Sequence, residues 1–342
     1  MSKYNYQIVL LDESSMEQQV DLYSRAFQKK DSPEELLMFW ENKHYNSPVG
    51  KSLIFGVYID GVLAGMNAFL PCIYEYDNVK SMCLQSCESA VDSRYQGRGI
   101  WGSIIKYAEE YIFTQTGYEV IIGFPNYRNS YPGFMKLGWT TKDSMNNYIM
   151  ANNPYEFIDI YSSNKLVKFF APILQLQKIV CFINKLFCQQ ITFEDASIDD
   201  ISLNVDKSKF SIHVNRDWIS WKFNYKKEHC FFIKYKGTKV ASCIYMLDNF
   251  RGGKVIRIDR IDLMENSNIS FNQVLSASIL YLSGKYRDAA FFRMWVQKGN
   301  KMNAALRCLA FIRSSHPNPF IIKTRNDDYL TFDWKLSFFD LD

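Results

Sequence analysis

Histidine is scarce in this chain: four residues in 342 (His44, His213, His229 and His316), none of them close to another. Without a tight cluster of imidazole, thiolate and carboxylate there is no zinc-type ligand set, so no metal is expected. The eight cysteines include no Cys-x-x-Cys pair, and Cys83 and Cys87 fall in a strand-like stretch. They read as reduced, mostly buried thiols of a cytoplasmic protein, not as a disulfide framework. Charge of one sign is also lacking: 40 Lys and Arg against 36 Asp and Glu, a net +4, dispersed along the chain. That excludes the basic stripe of a nucleic-acid binder. Met1 to Met16 carry no basic-then-apolar leader pattern. The longest apolar stretch, Ser163 to Cys188, is interrupted by Lys165, Lys168, Lys178 and Lys185. A membrane span needs about 20 nearly charge-free residues, so no integral span is expected. The stretch reads as a helical connector, with a surface-lying amphipathic helix as the alternative.

Hydrophobic residues make up 47% of the chain and aromatics 16%, which implies packed globular cores, and the length allows two domains. Residues 4–11 read as a strand and Met16 to Phe27 as a helix. Ser32-Pro33-Glu34-Glu35 is a helix start, with capping serine, proline in the first turn and carboxylates at the positive dipole end. Ser52–Ile59 and Val62–Tyr74 flank Asp60-Gly61 as a hairpin. Met82–Val91 is a further strand, Ser103–Phe113 a helix and Tyr118–Phe124 a strand, with a helix over Arg128–Leu137.

Between the strand ending at Val91 and the helix from Ser103 lies Arg94-Tyr95-Gln96-Gly97-Arg98-Gly99-Ile100-Trp101-Gly102. A strand, a glycine-rich turn and a helix together make an anion site: glycines let backbone N–H groups close on a phosphate, and the helix N-terminus favours negative charge. Arg98 adds a formal charge. The lysine-hydroxyl pair of a P-loop is missing. Gly97-x-Gly99-x-x-Gly102 matches a dinucleotide fingerprint on paper, but no acidic strand end follows for a ribose.

Ala90-Val91-Asp92, Gln96-Gly97-Arg98-Gly99, Asn126, Ser130 and Phe134-x-Lys136-Leu137-Gly138-Trp139, in that order, resemble the GNAT superfamily of acyl-CoA N-acyltransferases. The resemblance covers about residues 50–150. It implies that acyl-CoA is the co-substrate, with its pyrophosphate on Gln96, Gly97, Arg98, Gly99, Trp101 and Gly102. It further implies that Ser89, Ala90 and Val91 face the pantetheine arm and that Asn126 and Ser130 flank the thioester side. Two departures stand out: Trp101 occupies a position where the superfamily has a small residue, and Phe134 replaces the tyrosine that often protonates the leaving thiolate. Tyr131 is a substitute candidate. Glu88 is the candidate base, or else a strand glutamate in an ion pair; Asn126 is an oxyanion donor, or else a helix cap.

From Phe210 the chain repeats the order of elements of residues 52–149: a hairpin Cys230–Lys236 and Val240–Leu247, strand Lys254–Leu263, helix Phe271–Lys285, strand Ala289–Val296 and helix Asn300–Phe311. Strands at Pro319–Lys323 and Tyr329–Trp334 close the set. The expected architecture is therefore α/β, two tandem GNAT-like folds, each a mixed, mostly antiparallel sheet flanked by helices. Residues 1–151 form the acyl-CoA domain, 152–200 a connector and 201–342 an acceptor-binding half. The second-half turn, residues 264–270, has no glycine, so it lacks the freedom to approach a pyrophosphate. His213, Arg216, Trp218, Trp221 and Lys222 suit a nucleotide-linked sugar, although Trp218 and Trp221 also fit the buried face of a helix. The terminal carboxylate of Asp342 is a further candidate base.

This tandem pattern resembles bacterial GNAT enzymes that acylate the amine of dTDP-linked amino-deoxysugars for surface polysaccharide. A small-amine or antibiotic acetyltransferase, an aminoacyl-tRNA-using ligase and a non-catalytic scaffold are the alternatives. A monomer and a homodimer are equally expected.

Overall fold

A computed structural model describes residues 6–162, 165–186, 190–201, 203, 208–265, 267–337 and 339. The first part of the chain runs β1 (Ile8–Leu11), α1 (Met16–Phe27), α2 (Pro33–His44), β2 (Leu53–Ile59), β3 (Val62–Tyr76), β4 (Val79–Val91), α3 (Ile100–Gln115), β5 (Val120–Gly123), α4 (Tyr131–Lys136) and β6 (Thr140–Ala151). Helices α5 (Pro154–Tyr161) and α6 (Ala171–Leu186) and strand β7 (Ile191–Asp195) follow. The remainder is β8 (Phe210–Ile212), α7 (Arg216–Lys226), β9 (His229–Tyr235), β10 (Thr238–Phe250), β11 (Gly253–Leu263), α8 (Phe271–Lys285), β12 (Phe291–Gln297), α9 (Met302–Cys308), β13 (Ile312–Arg313), β14 (Asn318–Thr324), α10 (Asp328–Thr331) and β15 (Trp334–Lys335).

The strands form one mixed, mostly antiparallel sheet in the order β1-β2-β3-β4-β5-β14-β6-β12-β11-β10-β9-β7, flanked by helices. The pattern of the first half recurs in the second. β4 runs parallel to β5, and β11 parallel to β12. Each of these pairs would leave an open edge, which sheets rarely tolerate. The chain closes both by exchange: β14 pairs with β5 (Ile322 opposite Ile122), while β6 pairs with β12 (Tyr148 opposite Met294). β14 and β6 also pair with each other, which makes the sheet continuous.

Two cores sandwich the first half of this sheet. On one face α3 buries Ile100, Ile104, Ile105, Ala108 and Ile112 against Phe55, Phe69, Ile121 and Trp139. Each fully buried isoleucine contributes roughly 1.5–3 kcal/mol. Close approach of α3 depends on Gly65, where a Cβ would sit 3.0 Å from Ile100 Cγ2. On the other face α1 and α2 bury Val20, Leu22, Tyr23, Leu36 and Trp40. The capping box of Ser32 and Glu35 starts α2 as the sequence predicts.

A few local expectations are corrected. The helix expected over 128–137 begins only at Tyr131, because Asn126 Oδ1 accepts the N–H groups of Arg128 (3.0 Å) and Asn129 (3.3 Å) and holds them in a turn. Residues 329–331, expected in a strand, belong to the short helix α10: Asn326 Oδ1 accepts the Asp328 N–H at 3.0 Å, and Thr331 Oγ1 donates to the Asp328 carbonyl at 2.7 Å. Only Trp334 and Lys335 extend, pairing parallel to β8.

Candidate active site

The glycine turn sits at the end of β4, where Asp92 anchors it. The buried Asp92 carboxylate accepts the Arg94 N–H (3.0 Å), Arg94 Nε (3.0 Å) and Nη2 (2.9 Å), and also pairs with Arg25. These arginine bonds hold its carboxyl well below the usual carboxylate range. Gln96 Nε2 donates to the Val91 carbonyl at 2.9 Å, closing the turn back on the strand. Gly97 (φ 75°) and Gly99 (φ 79°) take left-handed conformations, and a Cβ at Gly97, Gly99 or Gly102 would point into open space. The first helical bond of α3 is from Ser103 N–H to the Gly99 carbonyl, 3.1 Å. The N–H groups of Ile100, Trp101 and Gly102 therefore precede the i→i−4 ladder at an end with no side-chain cap. The Arg98 guanidinium lies 5.5 Å from the Tyr95 ring centroid.

The counterpart at α8 is built differently. Ser270 caps that helix, with its Oγ accepting the Gln273 N–H (3.3 Å), while Gln273 Oε1 accepts the Ser270 N–H (2.9 Å). The two ends start from the same topological position. One has no side-chain cap on its donors; at the other a reciprocal capping box takes up the Ser270 and Gln273 N–H groups.

Trp101 does not point along the open turn. Its ring packs edge-on against Phe134 (4.8 Å between centroids), and a Cβ at Gly133 would sit 2.6 Å from Trp101 Cζ3. Phe134 in turn packs on Trp139 (4.7 Å). So Trp101 and Phe134, the two departures from the family pattern, fill one joint between α3 and α4. The Tyr131 hydroxyl bonds Thr141 Oγ1 at 2.8 Å, and its ring stacks on Tyr127. Asn126 occupies the turn described above, with its own N–H donating to Ser130 Oγ at 3.0 Å.

Upstream of the turn β4 splays from β3. Met66 pairs with Ala90 and Ala68 with Cys87, so Glu88 and Ser89 together face Asn67 alone, and Glu88 adopts φ 42°. Ser89 Oγ donates to Asn67 Oδ1, while Asn67 Nδ2 donates to Ser86 Oγ at 3.1 Å and to the Ala68 carbonyl at 3.0 Å. The bulge re-aims the Glu88 side chain out of the strand. Its Oε1 pairs with the buried Lys43 ammonium, and Oε2 lies 3.5 Å from His44 Nε2. His44 is fixed by Ser52 Oγ at 2.9 Å from Nδ1 and by Trp40, 4.3 Å away ring to ring.

Glu88 and Lys43 form part of the wall of a cleft of about 370 Å³ between α1 and α2 on one side and α7 and β10 on the other. Tyr23, Phe39 and Tyr225 supply aromatic walls; Lys29, Lys226 and Lys227 supply positive charge, and Asp31, Glu35 and Asp248 negative charge. Arg257 also lines it, bidentate to the buried Asp259 at 2.6 Å on both nitrogens. Asp259 occupies a second bulge, between the pairs Ile244–Arg260 and Tyr245–Ile258. Beside it Glu228 is buried, and desolvation, reinforced by the Asp259 charge, pushes its carboxyl up to about 8.

The second-half residues expected at the acceptor lie elsewhere. Trp218, Trp221 and Lys222 are buried in the core between the halves, with the Lys222 ammonium 5.1 Å from the Trp218 ring. Trp221 Nε1 donates to the Asn42 carbonyl at 2.6 Å and so ties α7 to α2. It is the last turn of α7, not its first, that reaches the cleft. His213 pairs through Nδ1 with Glu75 Oε2 at 2.5 Å, and its N–H donates to the Ile73 carbonyl. Ile73 lies about six residues beyond Asn67 on β3, roughly 20 Å at the strand rise, so His213 is remote from the bulge. Arg216 opens α7, at the end away from the cleft. Asp342 lies outside the described residues. Lys43, His44, Asn67 and Arg257 were not legible as site residues. They meet Glu88 or the cleft only through the sheet and the helix pair. Among the described residues no His, Cys, Asp and Glu side chains group as a metal site.

Residues 7–141 match the family model "Acetyltransferase (GNAT) domain". No curated protein matches the chain. Solved structures similar to it include a conserved protein of unknown function from Enterococcus faecalis V583 that carries an N-acyltransferase description (13% identity, TM-score 0.61, covering 94% of this chain and 73% of the other). Another is a GCN5-related N-acetyltransferase from Anabaena variabilis ATCC 29413 (9%, 0.58, covering 94% and 73%). A third is a tandem GNAT protein from the clavulanic acid biosynthesis pathway (8%, 0.59, covering 94% and 99%).

Proposed function

We propose that this acyl-CoA-dependent N-acyltransferase moves a short acyl group from coenzyme A to the amine of a nucleotide-linked amino sugar, with donor and acceptor approaching Glu88 from opposite sides of the β4 bulge. The CoA diphosphate lies on the N–H groups of the turn from Gly97 to Gly102; among the described residues the counterpart end, at α8, is capped instead. The observation that carries this reading is the contrast between the two equivalent helix ends, open at α3 and self-capped at α8.

The acceptor enters the cleft between the halves. Lys29, Lys226 and Lys227 suit its diphosphate, and Tyr23, Phe39 and Tyr225 its rings. Glu88, held between Lys43 and His44, is the group placed to take a proton from the acceptor ammonium. The freed amine attacks the thioester carbonyl, the C–N bond forms, and the tetrahedral adduct collapses with loss of the CoA thiolate. As the C–S bond breaks, the second proton of the amine passes to solvent, the thiolate takes a proton from solvent, and Glu88 releases its own to solvent. No dedicated acid is needed, because thiolate is a good leaving group.

A second reading is favoured by the carboxylates Asp31, Glu35 and Asp248 on the cleft, which suit a cationic small amine. Purified enzyme with acetyl-CoA, assayed against dTDP-linked amino-deoxysugars and against polyamines and aminoglycosides, separates the two. Turnover of the nucleotide sugar that falls by about 10²–10⁴ in kcat in Glu88→Gln, with CoA binding unchanged, supports the proposal. Turnover confined to the cationic amines would replace it.

A further inference from the structure

Helix α6 is built inside out. Its inner side carries Ala171, Gln177, Lys178 and Cys181, and packs toward α8. Gln177 clamps it to the body, accepting the Ala151 N–H (3.2 Å) and donating to the Ala310 carbonyl (2.8 Å). Val180 also packs on the second-half core, but most of the large apolar side chains point the other way. Phe169, just before the helix, and Ile173, Leu176, Ile179 and Phe182 are each half exposed or more, Phe169 at 81%. An amphipathic helix in a soluble fold turns its apolar stripe to the core; this one turns it to the outside. An apolar groove of about 350 Å³, lined by Phe157, Ile158, Tyr161, Val167, Ile173 and Leu174, continues the face onto α5.

Charge identifies what covers this face. Residues 165–186 contain four lysines and no carboxylate; of these, Lys178 lies on the inner side and Lys168 pairs with Asp159 of α5 at 2.7 Å. An anionic lipid surface answers both the apolar face and the positive charge. Val167–Asn184 is long and apolar enough by composition to cross a membrane, but the Gln177 clamp holds α6 along the protein body, a posture suited to lying in the interface plane.

We propose that α6 docks the protein on an anionic membrane surface, with Phe169, Ile173, Leu176, Ile179 and Phe182 entering the headgroup boundary and the adjoining groove receiving a lipid acyl chain. The full chain is sedimented with vesicles of phosphatidylcholine alone and of phosphatidylcholine mixed with phosphatidylglycerol. Partitioning should favour the anionic vesicles and weaken with added salt. Ile179→Asp/Phe182→Asp should abolish it while melting temperature and acyltransferase rate stay at wild type, since both side chains already face out. Failure to partition, or equal partitioning onto neutral vesicles, overturns the proposal. So does a concentration-dependent dimer in sedimentation velocity that Ile179→Asp/Phe182→Asp dissolves, which would assign the face to a second copy.

Discussion

Substitution of Gly99 separates what the turn contributes to the fold from what it contributes to the ligand. Gly99 has φ 79°, and a Cβ there meets nothing within 4 Å. Gly99→Ala therefore creates no clash, and its cost to the fold is the left-handed conformation alone, about 1–2 kcal/mol. In a chain of this size that lowers Tm by no more than a few degrees. Gly99→Glu carries the same backbone cost and adds a carboxylate at the open helix end. At about 4 Å from a phosphate oxygen, repulsion is about 1 kcal/mol at the dielectric of water and about 4 kcal/mol at an effective value of 20. These limits correspond to about fivefold and about a thousandfold in Kd. Calorimetric titration of CoA into both variants should give a Kd for Gly99→Glu at least about fivefold weaker than for Gly99→Ala, with similar Tm values in thermal melts. If Gly99→Glu melts a few degrees low yet binds CoA within about twofold of wild type, the diphosphate does not lie on this turn.

Other consequences concern stability. The Glu228 carboxyl is raised to about 8 from an ordinary 4.5, so the folded chain holds this proton more tightly than the unfolded one. Its stabilising effect is complete below about 4.5 and is lost as pH rises through about 8. Melting temperature should therefore decline across that window, and Glu228→Gln should flatten the decline; an unchanged slope would show that Glu228 ionises freely in the fold. Trp221→Ala removes a buried ring and its bond to the Asn42 carbonyl, and denaturant titration should record a loss of about 3–5 kcal/mol. Trp221→Phe keeps a ring but loses the hydrogen bond and part of the indole packing, so its loss should be smaller, about 1–3 kcal/mol. Equal losses for the two would mean that the ring packs without benefit.

Much of the architecture was legible because it is locally encoded. The capping serine and proline that start α2, the Asp60-Gly61 hairpin and the apolar spacing of α3 each specify an element within a dozen residues, and local preference and packing agree there. The glycine turn was legible for the same reason, since its peculiarity lies in residues that lack side chains. The contrast between Gly99 and the capped Ser270 could also be read in part, from a turn that has glycine and one that has none.

What the sequence determined by itself, then, is the order of elements and the backbone turn at the end of β4, features that depend on neighbours along the chain. The tertiary structure decided the rest. Strand exchange places β14 beside β5 and β6 beside β12, with Ile322 opposite Ile122 and Met294 opposite Tyr148, pairings across distant sequence that no local pattern encodes. The bulge turns Glu88 out of its strand and onto Lys43 and His44, 45 and 44 positions earlier. Trp218 and Trp221 became core and the last turn of α7 became cleft wall because burial of the largest rings decided which face of α7 turns inward. Spacing shows that a helix has a face; only packing shows what that face meets.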